Sequence, residues 1–170
     1  EHDIETIAKN IDAIYAKALT QYDASDIILL GGSAGGNLIL TLSQRLIKNK
    51  IPLPSKLIAV CPVAEASFSN PEIVPLEKID PMLSKKGVLS ASKMTAMKLP
   101  LKDELLSPLY GSFDHFPKTH LFAAEEDILT PDILLMYEKM KKAKVEVSLV
   151  YGKSMPHIWP FIPFMRASKK

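Results

Sequence analysis

The length and composition of the chain indicate one folded globular domain: 170 residues, of which 47% are hydrophobic and 24% charged. Lys and Arg exceed Asp and Glu by only 21 to 19 and are scattered, which argues against nucleic acid as a partner. A lone cysteine, Cys61, excludes an internal disulfide or a cysteine-rich metal site and predicts a reducing, cytoplasmic location. No apolar run approaches the roughly 20 residues of a membrane span, and residues 1–5 are too polar for a signal peptide.

Helical and strand patterns alternate along the chain. Apolar residues at a spacing of three and four predict helices, and short continuous apolar runs predict strands buried on both faces. Between the second and third strands, many prolines and short helical patterns predict an insertion. The predicted elements, in order, are a helix over 3–20, a strand over 27–30, a helix over 34–48, a strand over 57–61, the insertion over 62–107 with a helix over 84–97, a strand over 120–124, a helix over 131–143, a strand over 145–151 and a helix over 157–166.

This order predicts an α/β fold. Short apolar strands that alternate with helices favour a mostly parallel sheet of about four strands, flanked by helices in three α/β/α layers. We assign residues 1–170 to a single domain, with the insertion as a cap-like segment within it.

The sharpest motif is Gly-x-Ser-x-Gly, from Gly31 to Gly35, between a predicted strand and a predicted helix. That context is typical of a nucleophile elbow, in which a sharp turn pushes the serine hydroxyl out of the sheet. We therefore predict Ser33 as the nucleophile, with glycines required two residues away on both sides for steric reasons. The backbone amide of Ala34 and the positive helix end would then stabilise an oxyanion. The alternative is a glycine-rich turn with an incidental serine.

A serine nucleophile needs a general base and an acid that orients the base. After such an elbow, the acid and then the histidine follow along the chain. His157 follows the last predicted strand and is the predicted base. The other histidines are His2 at a terminus, His115 in a turn and His120 at the start of a strand. The acid should follow the strand over 120–124, where position alone does not choose among Glu125, Glu126, Asp127 and Asp132.

These residues resemble those of the hormone-sensitive-lipase-like carboxylesterases, within the α/β-hydrolase superfamily. The elbow resembles that family's Gly-Asp-Ser-Ala-Gly-Gly-Asn-Leu, with Gly32 in place of the acidic residue. Residues 80–83, 107–110 and 155–160 resemble three further stretches of the family. The resemblance implies Asp127 as the acid, short- to medium-chain acyl esters as substrates, and no metal or cofactor. Gly32, Ile158 and Trp159 are predicted to contact substrate, although helix packing is the alternative for the last two.

The chain departs from the family upstream of the elbow. The family's His-Gly-Gly-Gly stretch, whose amides complete the oxyanion hole, has no counterpart in residues 1–32. We therefore expect a C-terminal portion of an esterase, incomplete at its N-terminus, with an exposed strand edge over 27–30 that favours homo-oligomers. The expected function is a serine carboxylesterase acting on a small-molecule ester. The alternatives are a catalytically impaired fragment and a non-catalytic member that binds a small molecule.

Overall fold

A computed structural model describes residues 3–163, in which helices and strands alternate as the sequence predicts. The helices are α1 (Ile4–Leu19), α2 (Ala34–Lys48), α3 (Ile73–Leu76), α4 (Lys85–Ala96) and α5 (Thr130–Lys142). The strands are β1 (Ile28–Gly32), β2 (Lys56–Val60), β3 (Lys118–Glu126) and β4 (Val147–Pro156). None of the helices in the described residues is both long and apolar enough to cross a membrane.

The four strands form one parallel sheet in the order β1-β2-β3-β4. Gly32 pairs with Val60, Val60 with Phe122, and Phe122 with Val150, so the strands run side by side in close register. Because all strands are parallel, the segments that follow them emerge at the same edge of the sheet. The predicted α/β class with a four-stranded parallel sheet is confirmed.

The three longest helices pack on one face of the sheet. Leu57 of β2 and Leu121 of β3 are buried in one cluster with Leu40 of α2 and Met136 of α5. Helix α1 packs on α2 through Tyr15, which is 3% exposed and lies in a second cluster with two leucines of α2. This packing places α1, α2 and α5 in one layer.

The opposite face of the sheet is largely uncovered in the described part of the chain. Ile28, Leu30 and Val150 point to this face and are 51%, 58% and 41% exposed. At the carboxyl ends of the strands, two side chains of the last turn cover part of this face: Trp159 packs against Phe122, and the ring of Phe161 lies over Gly32. Residues 3–163 thus form the sheet and one layer of helices on it. These residues do not include the second helical layer of the predicted α/β/α arrangement.

Three predicted elements have clearly different bounds in the structure: the third strand, the fourth strand and the last helix. Strands β3 and β4 continue past their apolar runs because their backbones remain paired, with an irregularity between Ala124 and Glu126. The predicted helix over 157–166 is observed as a single 3-10 turn, Trp159–Phe161. Pro160 and Pro163 lack the amide hydrogens that a continuing helix requires. The remainder of that prediction, residues 164–166, lies outside the described residues.

The insertion, residues 62–107, contains α3 and α4 and packs on the carboxyl-end edge of the sheet. Phe68 and Ile73 of the insertion share a buried cluster with Val60 and Ala123 of the strands. The side chain of Asn37, in α2, donates to the carbonyls of Val63 and Leu106 at 2.7 Å each, near the two ends of the insertion. One buried amide therefore ties both ends of this segment to the helix that begins at the elbow.

Candidate active site

Ser33 occupies the sharp turn between β1 and α2. Its φ of 53° and ψ of −120° are unusual for a residue with a side chain, and such conformations cost about 1–3 kcal/mol. The backbone is held on both sides: the Ser33 amide donates to the Val60 carbonyl at 2.9 Å, and the Ser33 carbonyl accepts from the amides of Asn37 and Val63. This is the geometry expected of a nucleophile elbow.

The glycines around Ser33 do not all serve the same purpose. A Cβ on Gly31 would collide with the carbonyl group of Gly35, and one on Gly36 would come within 2.8 Å of the Pro62 Cβ. A Cβ on Gly35 would meet nothing within 4 Å. The expected collision is therefore found at Gly31, whereas the expectation for Gly35 is wrong. The atoms that a Cβ on Gly31 would strike are the backbone carbonyl atoms of Gly35. A side chain on residue 35 would not move those backbone atoms, so glycine is not required there.

We expect Gly31→Ala to lower the melting temperature clearly and Gly35→Ala to leave it nearly unchanged. Overpacking against backbone atoms that cannot move aside costs about 1–3 kcal/mol. Alanine at position 35, by contrast, enters open space in the first turn of a helix, where it is a better helix former than glycine. Thermal unfolding followed by circular dichroism compares the two variants. Equal melting temperatures would contradict the steric argument.

Asp127 and His157 form a buried hydrogen-bonded pair. His157 Nδ1 lies 2.8 Å from Asp127 Oδ2, and the two residues are 3% and 0% exposed. The other carboxylate oxygen accepts from the backbone amide of Leu129 at 2.9 Å. A carboxylate next to Nδ1 favours the tautomer with the proton on that nitrogen, which leaves Nε2 as the basic atom of the ring.

The other three acids that compete in the sequence have different partners. Glu125 accepts from the Ser154 amide at 2.6 Å, and Glu126 is the register partner of Pro156 in the sheet. Asp132 accepts from the side chain of Asn70 at 2.9 Å, and burial raises the pKa of Asp132 to about 6. Within residues 3–163, the carboxylate that contacts His157 is thus that of Asp127.

Cys61 lies beside this pair, a position that the sequence analysis missed. It follows β2, and its sulfur lies within 4.8 Å of the ligand atoms of both Asp127 and His157. Burial, followed by the negative charge of Asp127, raises the pKa of the Cys61 thiol, so the thiol is neutral. Among the described residues, Cys61, Asp127 and His157 have the spacing of metal ligands. A metal ion would bind the thiolate form of Cys61, and this environment disfavours the thiolate. The sequence could have indicated this position, because Cys61 follows β2, and β2 lies between the strands that Ser33 and Asp127 follow.

A cavity of about 290 Å³ opens beside Ser33 and Ala34. Its walls are mostly apolar and come from three parts of the chain that are far apart in sequence: α1, the start of α2, and the insertion with α4. The side chains that form these walls include Ile4, Ile7, Leu38, Phe68, Val88 and Ala91. Periodicity identified Ile4, Ile7 and Leu38 only as members of helix faces, and the cavity that they help to form was not predicted.

The predicted substrate contacts lie outside the walls of this cavity. Gly32 faces the ring of Phe161, whose Cε2 atom lies 2.5 Å from an ideal Cβ on the glycine. Ile158 packs against a buried cluster, and Trp159, 7% exposed, donates to the Ala123 carbonyl at 3.2 Å. Their contact with substrate remains a prediction, as does the role of the Ala34 amide, which the first turn of α2 presents next to Ser33.

The fold brings the candidate residues to one edge of the sheet. Ser33 follows β1, Asp127 follows β3 and His157 follows β4, and all three strands end at the same edge. Asp127 and His157 are in contact, and Ser33 lines the cavity. A parallel sheet with a serine elbow and a buried acid–histidine pair after later strands defines the α/β-hydrolase class. A family model described as the alpha/beta hydrolase fold matches residues 1–161, and the chain belongs to this family.

Named relatives share this fold and part of this sequence. An esterase of Acinetobacter venetianus is 30% identical over 149 residues, which cover 86% of this chain and 49% of that protein. A triacylglycerol lipase of Mycobacterium tuberculosis is 23% identical over 154 residues, 91% of this chain and 31% of that protein. The crystal structure of an esterase from the bacterial hormone-sensitive lipase family superposes with a TM-score of 0.94 at 25% identity, over 99% of this chain and 57% of that one. The resemblance inferred from the motifs is confirmed, and the chain spans between about a third and about three fifths of these relatives.

Proposed function

We propose that the protein is a serine carboxylesterase that hydrolyses esters with short- to medium-chain acyl groups. The buried Asp127–His157 hydrogen bond, at the sheet edge where the strained Ser33 turn also lies, carries this proposal. The similarity to proteins named esterase and triacylglycerol lipase supports the reaction class. The intact histidine–acid pair favours catalysis over the non-catalytic binding alternative, because binding alone does not require a base.

In the proposed mechanism, the Ser33 hydroxyl attacks the ester carbonyl carbon. His157 Nε2 accepts the hydroxyl proton and passes it to the departing alkoxide, which leaves as the alcohol. Asp127 holds the imidazole orientation and stabilises the imidazolium that forms. The Ala34 amide and the positive end of α2 stabilise the oxyanion of the tetrahedral intermediate. Water, activated by the same histidine, then attacks the acyl-enzyme and releases the acid.

The size and lining of the cavity support the proposed substrate class. About 290 Å³ is at the lower end of ligand pockets, which measure roughly 300–1,000 Å³. The apolar side chains from α1 and α4 would shield an acyl chain from water. Ser33 opens directly into this space, so an acyl group placed there has its carbonyl next to the nucleophile.

Covalent labelling with a fluorophosphonate tests the proposal. The reagent phosphonylates a serine only where a base activates it. We expect one adduct on the purified protein, located on Ser33 by mass spectrometry of the proteolytic peptides. Circular dichroism confirms that the labelled sample is folded. An adduct elsewhere, or no adduct on folded protein, would overturn the proposal and favour a catalytically impaired fragment.

A further inference from the structure

Asp80 connects two segments that are distant in sequence. It lies in the insertion, between α3 and α4, and its two carboxylate oxygens have different partners. Oδ1 accepts from the amides of Met82 and Leu83 at 2.8 and 2.9 Å, which closes a local turn. Oδ2 accepts from the amide of Ile128 at 2.9 Å, 48 residues away. One side chain thus binds its own turn and the residue next to Asp127.

The loop that carries Asp127 satisfies most of its own backbone groups. The Leu129 amide donates to Asp127 Oδ1 at 2.9 Å, and the Thr130 amide donates to the Asp127 carbonyl at 3.1 Å. The Thr130 hydroxyl donates to the Ala124 carbonyl at 2.6 Å, which closes the loop onto β3. The Ile128 amide instead has its partner outside the loop, in Asp80. This bond fixes the loop to the insertion immediately after the proposed catalytic acid.

We propose that Asp80 is a positioning residue, which holds the Asp127 loop against the insertion so that Asp127 keeps its hydrogen bond to His157. This inference rests on the proposed esterase function. It also links two parts of the site, because the same insertion contributes Phe68 and α4 to the wall of the cavity. The hydrogen bond from Asp80 thus connects the insertion, which lines the proposed acyl cavity, to the Asp127 loop, which orients His157.

Small displacements of the Asp127 loop would weaken the hydrogen bond between Asp127 and His157. A hydrogen bond weakens steeply as its geometry departs from the optimum, and the His157–Asp127 bond is buried, where no water can replace it. Without the bond from Asp80, the Ile128 amide loses its partner next to Asp127. Displacements of about 1 Å in a catalytic group reduce rates by up to roughly 100-fold.

Asp80→Asn separates the two roles of this side chain. Asparagine has one acceptor oxygen, so it can keep the bonds to Met82 and Leu83 but then turns its amide towards the Ile128 amide, donor against donor. We expect kcat for a short-chain p-nitrophenyl ester to fall roughly 10- to 100-fold with KM unchanged. Asp103→Asn is the matched control, since Asp103 uses one oxygen to bind Leu105 within the same insertion, which asparagine reproduces.

Proton NMR gives a readout that a merely structural role would not change. A proton shared between a histidine ring nitrogen and a carboxylate resonates at low field, so its signal is expected to report the His157–Asp127 bond whether or not the protein turns over ester. We expect this resonance to shift or broaden in Asp80→Asn and to stay unchanged in Asp103→Asn. An unchanged resonance and unchanged kcat in folded Asp80→Asn would overturn the inference. Failure of the esterase proposal is distinguishable, because the wild-type protein would then show no Ser33 adduct.

Discussion

Replacing Ser33 with alanine is expected to reduce ester hydrolysis at least about 1000-fold and to eliminate the fluorophosphonate adduct. The hydroxyl is the group that forms the acyl-enzyme in the proposed mechanism, and no other side chain in the turn can replace it. The Ser33 side chain makes no helix-capping hydrogen bond, so alanine should preserve the fold. Initial rates with a short-chain p-nitrophenyl ester, together with the melting temperature, provide the measurement.

The cavity contains a serine that serves as a control for this variant. Ser92, in α4, lines the same cavity as Ser33 but lies in a regular helix rather than in a strained turn. Ser92→Ala should therefore hydrolyse the ester at nearly the wild-type rate and should still form the Ser33 adduct. If Ser33→Ala retained full activity while folded, the hydrolysis would have to come from another nucleophile, and the proposed mechanism would be wrong.

Replacing Asp127 with asparagine is expected to lower kcat roughly 10,000-fold. The asparagine amide would donate to His157 Nδ1, so the ring proton would move to Nε2, the atom that must accept the serine proton. The overall shape of the site is conserved, because asparagine is nearly isosteric and its oxygen can still accept from the Leu129 amide. Comparison of kcat, melting temperature and labelling rate with the wild type separates this chemical effect from unfolding.

The neighbouring Glu126 provides the control for this second variant. Glu126 lies one residue before Asp127, at the end of β3, and pairs in register with Pro156 rather than with His157. Glu126→Gln removes the same charge at nearly the same place and should change kcat little. Comparable losses in both variants would mean that local charge, rather than the hydrogen bond to His157, supports activity.

The sharp turn at Ser33 and the parallel sheet were predictable because their signals are local. The apolar run before Gly31 indicates a buried strand, and the apolar spacing after Ser33 indicates a helix. The eight residues 30–37 are enough to predict the turn, because they place a serine between the strand and the helix and a glycine at residue 31, where the backbone of Gly35 comes close. His157 was predicted from its order along the chain, because it follows the last predicted strand.

The choice of the acid was not predictable from position. Glu125, Glu126, Asp127 and Asp132 lie within one loop and its flanks, and their one-dimensional contexts are similar. The direction in which each carboxylate points depends on where β3 ends and how the loop closes onto it through Thr130. The family resemblance named Asp127, and the hydrogen bond to His157, 30 residues away, supplies the physical reason.

The sequence by itself determined the elements that depend on near neighbours: the strand–turn–helix around Ser33, the alternation that makes the sheet parallel, and the position of His157 after the last strand. The tertiary structure alone decided the features that need contacts between distant segments. These are the geometry of the Asp127–His157 hydrogen bond, the neutral Cys61 thiol beside it, the cavity between α1 and α4, and the bond from Asp80 to the loop that carries Asp127. The physical reason is that hydrophobic periodicity records which side of an element is buried, whereas the partner on that side is set only when the chain folds back on itself.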